Sequence, residues 1–253
     1  MRGTGSSRIA VAAAGALACA LACAPAPVRP AEGRAAVAGS VRLVPHDGAP
    51  ASSSSSSYGD RRLRDVELVD YSRPGFVIVW AERETPGAPA HDPGEASDAA
   101  DLAIEDGVGG PRLAPELAAV GLGGTLRVAN RTRRALAVSI PALGRVESLA
   151  PGAALSVAAE RAGELDLFLL GARERATVWV APGPWTRTDA AGRFALPDLA
   201  PGAWTVRAWH PRLPAAAQRV LLRAGEVADV ALEIGVGRDA LVDATGGGRD
   251  AAH

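Results

Sequence analysis

Four histidines, two cysteines and a single methionine are all that this 253-residue chain offers a soft or borderline metal ion. Cys19, Cys23 and Met1 fall within the first 24 residues, and His46, His91 and His253 are scattered through loops and the tail. That distribution lacks the close ligand spacing from which protein metal centres are built. Lysine is absent throughout, so all 27 basic residues are Arg, and Schiff-base or lysine-dependent phosphate chemistry is excluded. No hydrolase elbow, zinc-protease helix motif, Cys-x-x-Cys pair or Walker loop occurs. Asp and Glu are plentiful, but no carboxylate pair is singled out for acid–base work. The chain reads as non-enzymatic, with no catalytic residue, no metal ligand and no cofactor.

What remains is binding chemistry. His210 lies in Ala208-Trp209-His210-Pro211-Arg212 and can serve either as a sugar or metal contact or as a histidine packed against its neighbouring Trp. Trp204 and Trp209, with Trp179 and Trp185, would make a carbohydrate-stacking platform if they faced outward together. Strand alternation sets Trp204 and Trp209 on opposite faces, so at least one belongs to a core. Trp204, Trp209 and His210 are therefore the candidate ligand contacts. The run Arg131-Thr132-Arg133-Arg134 suits a phosphate or an acidic partner, and equally a solvated hairpin turn. Gly121-Leu122-Gly123-Gly124 is followed by a strand pattern rather than a helix, which makes it a turn and not a phosphate cradle. Asp92, Glu95, Asp98, Asp101, Glu105 and Asp106 lack the spacing of a calcium loop and read as a solvated insertion.

The N-terminus sets the compartment. Arg2 and Arg8 precede an apolar stretch, Ile9 to Leu21, that ends in small residues, the pattern of a secretory signal peptide over residues 1–24. The stretch is too short to cross a hydrocarbon core of roughly 30 Å as a helix. Ala20-Leu21-Ala22-Cys23 resembles a permissive bacterial lipoprotein box, which makes Cys23 a candidate lipid attachment point; ordinary cleavage after Ala24 is the alternative. Without the leader, 25 Arg face 28 acids, a formal charge of −3, with no thiol left for a disulfide. Nucleic acid needs clustered positive charge and is excluded as a partner.

Positioning falls to strands. Alternation marks Ala31–Val44, and Leu63–Asp70 with Phe76–Ala81 form a hairpin candidate across Ser72-Arg73-Pro74-Gly75. The hexaserine Ser52–Ser57 is a polar loop. From Leu117 onward, strand and turn signals recur about every ten residues, as in sandwiches and barrels.

Thr188-Asp189-Ala190-Ala191-Gly192-Arg193-Phe194, Leu199-Ala200-Pro201-Gly202-Ala203-Trp204-Thr205-Val206 and Ala224-Gly225-Glu226 follow one another in a spacing that resembles carboxypeptidase regulatory-like domains, which are small transthyretin-like sandwiches. The preceding residues, from about Leu113 to Val180, resemble a periplasmic plastocyanin-like group in which such a module follows a copper domain. That resemblance implies a strand ending in Asn, then an Asp and a copper-binding His, and later a Cys, a His and a Met. Asn130 matches; Thr132 replaces the Asp, Leu136 stands where the His belongs, and Leu169–Arg175 contains no Cys, His or Met. A blue-copper centre needs thiolate and imidazole donors.

The expected class is all-β, with two β-sandwich domains after the leader. The expected boundaries are 1–24 leader, 25–34 linker, 35–181 degenerate cupredoxin-like sandwich with disordered loops at 46–60 and 83–110, 182–236 regulatory-like sandwich and 237–253 disordered tail. The expected role is a structural or binding module of the bacterial envelope, with an envelope protein or glycan as partner and the membrane touched only through a lipid anchor. A copper electron-transfer protein and a carbohydrate-binding accessory domain are the alternatives.

Overall fold

Val37, Val41 and Leu43 turn inward from the first strand while Ser40 and Arg42 face water, the alternation a half-buried strand requires. The computed structural model describes residues 28–45, 69, 71, 74–84 and 99–235. The leader with Cys23, the hexaserine, the tail, His46, His91, His253 and nearly all of the Leu63–Asp70 strand expectation lie outside the described residues. Within them the chain forms β1 (Ala35–Val44), β2 (Ile78–Arg83), β3 (Ala99–Gly107), β4 (Gly110–Ala114), β5 (Leu117–Gly121), β6 (Thr125–Asn130), β7 (Leu136–Ile140), β8 (Arg145–Leu149), β9 (Ala154–Ala158), β10 (Gly163–Leu169), β11 (Glu174–Ala181), β12 (Trp185–Arg187), β13 (Arg193–Leu199), β14 (Gly202–His210), β15 (Leu213–Leu222) and β16 (Val227–Gly235). The class is all-β, with one 3-10 turn at Pro141–Leu143 between β7 and β8.

One sandwich is built from residues 99–181. A sheet ordered β4-β3-β6-β9 and a sheet ordered β5-β11-β10-β7-β8 share a core that includes Ile104, Leu126, Val128, Ile140, Leu167 and Val178. The second pairs a sheet ordered β13-β1-β16 with one ordered β12-β2-β14-β15, around Val37, Val79, Leu196, Trp204, Val206 and Ile234.

That pairing corrects the expected grouping of residues 35–83 with the first sandwich. β1 runs parallel to β16 in unbroken register from Ala36↔Val227 to Val44↔Gly235, with β13 antiparallel on its other side. β2 lies between β12 and β14. The 99–181 sandwich is thus inserted between β2 and β12 of the other. Alternation tells which face of a strand is buried and nothing of its partner, so a distant pairing of this kind leaves no local trace.

The acidic stretch holds the second correction. Residues 99–107, expected within a disordered loop, form strand β3, and Gly110 at the end of that loop opens β4. Asp101 and Asp106 lie exposed on β3, whereas Leu102, Ala103 and Ile104 are buried. The density of acids hid a strand that needs only one buried face. β11 pairs with β10 and β5, so it belongs to the inserted sandwich, and β12 opens the following sheet.

Some glycines are fixed by the neighbouring backbone. Gly192 has φ 78° in the turn before β13, and a Cβ there would meet the Val41 carbonyl. The same turn is locked by the Asp189 carboxylate, which accepts the Ala191 and Arg193 N–H groups at 2.9 and 2.8 Å. Those donors, with the Arg193 guanidinium, hold the Asp189 carboxyl below its ordinary value.

Candidate functional site

The loop after β6 is organised by one buried amide. Asn130 donates from Nδ2 to the carbonyls of Arg134 and Leu149, each at 2.8 Å. Its Oδ1 accepts from the Thr132 N–H at 3.0 Å and the Thr132 hydroxyl at 2.8 Å. Asn130 and Thr132 are both buried, so the ring of bonds closes away from water. This Asn, singled out by resemblance, is a loop-fastening residue here. Asn130→Ala is expected to remove the amide partner of the Arg134 and Leu149 carbonyls and of the Thr132 N–H and hydroxyl, at a cost of about 1–3 kcal/mol, read as a lower urea midpoint with unchanged slope.

Where the resemblance calls for copper ligands, the chain offers no soft donor. Leu136 at the start of β7 and Ala172 in the β10–β11 turn both pack against the first core, and the Leu170 N–H donates to the Ala137 carbonyl at 2.9 Å, closing the gap between the two loops. Thioether, thiolate and imidazole donors are absent from both loops, so the residues present do not fit a copper centre. Among the described residues, no three His, Cys, Asp or Glu side chains come together to hold a metal ion.

The basic run is partly neutralised. Arg131 lies 3.4 Å from Glu105 of β3, which also faces Arg112 at 3.6 Å, while Arg133 and Arg134 are exposed. Thr132 in its middle turns inward, so the four residues do not form one cationic surface.

Trp204, Trp209 and His210 share β14 but not an environment. Trp204 is 4% exposed within the second core and donates its indole N–H to the Ala200 carbonyl at 2.8 Å. Trp209, on the other face, is 5% exposed and donates to Glu164 of β10 at 3.0 Å. Its ring stacks on Trp179 of β11 at 4.7 Å, and Trp179 lies 5.0 Å from Trp80 of β2. Phe76 meets Trp209 edge-on at 6.4 Å. These rings, with Ile78 and Ala181, form the joint between the sandwiches, each aromatic contact contributing about 0.5–1.5 kcal/mol beyond simple burial. Trp80 and Phe76 drew no attention in the sequence, because a Trp at the end of an apolar run reads as ordinary core.

His210 is buried at the end of β14, and its Nδ1 accepts the Arg212 N–H at 3.1 Å. Burial, helped by the Arg212 charge, pushes its pKa down from 6.5 to about 4. The folded state thus keeps a neutral imidazole where the unfolded chain takes up a proton. Stability contributed by this group is complete above 6.5 and falls as pH drops toward about 4. Urea titrations at about pH 7.5 and about pH 4.5 are expected to show a smaller acid loss for His210→Gln than for the native chain.

Paired sandwiches with an inserted unit define an all-β protein of the β-sandwich class. No protein-family model matches the chain, and no curated protein does. Among solved structures, the chain is similar to a purple cupredoxin from Nitrosopumilus maritimus, at 17% identity and TM-score 0.29, covering 32% of this chain and 99% of that one. A reduced Cu(I) form of an amicyanin mutant matches at 21% identity and TM-score 0.29, covering 40% and 97%. Native pseudoazurin from Hyphomicrobium denitrificans matches at 16% and 0.28, covering 34% and 77%.

Proposed function

We propose that the chain is an exported, non-catalytic protein that serves as a structural or binding module of the bacterial envelope, with a cupredoxin-like sandwich inserted into a regulatory-like one and Cys23 as the lipid attachment point. The observation that carries this reading is the packing of Leu136 and Ala172 against the core, which supports a scaffold over a redox centre. The leader supports export. Burial of Trp204 and Trp209 weighs against sugar stacking on those rings and favours a role resting on surface contacts with an envelope partner.

Fractionation of the source bacterium with immunodetection tests the compartment: the protein is expected in the envelope or periplasmic fraction, and a wholly cytosolic protein contradicts the proposal. Intact mass of the detergent-extracted protein tests the anchor, with added acyl mass at Cys23 expected and cleavage after Ala24 contradicting it.

A further inference from the structure

Of the eight large apolar side chains exposed among the described residues, Leu143, Val146, Phe168 and Leu170 fall on one part of the five-stranded sheet. The register places them together. Val146 of β8 is opposite Ser139 of β7, which is opposite Phe168 of β10. Directly opposite residues share a face of a sheet, so this row is continuous. Two residues along, Ser148, Ala137 and Leu170 make a second row on the same face, with Leu170 bonded to Ala137. Leu143 is exposed in the turn between β7 and β8, at the end of the hairpin nearer the Val146 row.

These rows run out at β8, the edge strand of its sheet. Every second residue of an edge strand turns its N–H and C=O outward, and an edge of this kind is ordinarily blunted by charge or covered. The charges on β8 have a symmetry that serves pairing instead. Val146 sits between Arg145 and Glu147, whose side chains form an ion pair at 2.9 Å on the opposite face from Val146.

We infer that β8 is the interface of a two-fold dimer, in which the β8 strands of two copies pair antiparallel about Val146 and join their five-stranded sheets. An axis at Val146 sets Arg145 of each copy against Glu147 of the other and Val146 against Val146. The in-chain ion pair becomes a four-membered ring of alternating charge, and the Val146–Ser139–Phe168 rows of the two copies meet across the seam at Val146, with Ser148 of each opposite Gly144 of the other. A two-fold contact uses the same patch on both partners, so assembly stops at two and leaves no open end. The partner is a second copy because the strand complements itself in charge and in apolar face; a generic extended peptide needs only the backbone. This inference is independent of the proposed envelope role.

Light scattering coupled to gel filtration, on residues 25–253 over a concentration series, tests it. The native chain is expected at twice its monomer mass. Arg145→Glu gathers four carboxylates at the seam and is expected at the monomer mass, as is Val146→Asp. Arg145→Glu with Glu147→Arg rebuilds the alternating ring with reversed polarity and is expected to restore the doubled mass. Urea unfolding of each variant confirms that it is folded; Arg145 and Val146 are exposed and Glu147 is half-buried. A native chain that runs as a monomer throughout overturns the inference. So does a folded Arg145→Glu variant that remains dimeric, or a folded double variant that stays monomeric.

Discussion

A fragment of residues 182–236 is expected to remain unfolded in isolation, with a coil-like circular dichroism spectrum and collapsed amide dispersion by NMR. The sequence marks it as a self-sufficient module, but it retains only a remnant of its sheets. β1 is the middle strand between β13 and β16, and β2 separates β12 from β14. Without them the β14–β15 hairpin is the only pairing left within the two sheets, and an isolated hairpin is marginal in water at best. The core also loses Ala35, Val37, Val41, Leu43, Val77, Val79 and Ala81, all buried at 4% exposure or less. Burying a Val or Leu side chain contributes about 1.5–3 kcal/mol, so the four Val and one Leu in that set alone match the whole stability of an ordinary domain. A fragment of residues 99–181 keeps both of its sheets and its core, and is expected to unfold cooperatively. Native-like spectra from 182–236 would contradict the pairing of β1 and β2 described above.

Gly39→Val is expected to cost more than about 4 kcal/mol, enough to unfold the second sandwich under native conditions. Gly39 sits mid-strand in β1, opposite Phe194 of β13 and Val230 of β16, and any Cβ there would run into the Val230 carbonyl. The obstacle is backbone in a strand hydrogen-bonded along its length, so no rotamer change relieves the overlap, and the strands must separate. Gly109, with open space around its Cβ position, supplies the control. Gly109→Ala is expected within about 0.5 kcal/mol of the native chain by urea denaturation. Equal midpoints for the two variants would show that β1 and β16 do not approach as described.

Faces were legible in the sequence where partners were not. The alternation in Ala31–Val44 announced a strand, and β1 occupies Ala35–Val44. The turn residues Asp189 and Gly192 were readable because each answers a local geometric demand: a carboxylate capping N–H groups two and four residues on, and a backbone at φ 78°. The insertion was not readable, because the alignment of Val37 with Ala228 spans nearly the whole chain and depends on no nearby residue. β3 was missed for a different reason: Asp101 and Glu105 lie on the face opposite buried Leu102 and Ile104, and counting charge averages over both faces. At the candidate site, the absence of thiolate, thioether and imidazole donors from the two loops was visible from residue types alone. The stack of Trp179 on Trp209 was invisible, since it joins strands of two separate sandwiches.

The inserted sandwich is expected to carry no copper. Purified protein of residues 25–253, titrated with copper and exchanged into chelator-free buffer, is to be analysed for metal per chain. The packing of Leu136 and Ala172 against the core predicts no retained stoichiometric copper. One tightly held copper ion per chain would contradict it and return the protein to the electron-transfer class.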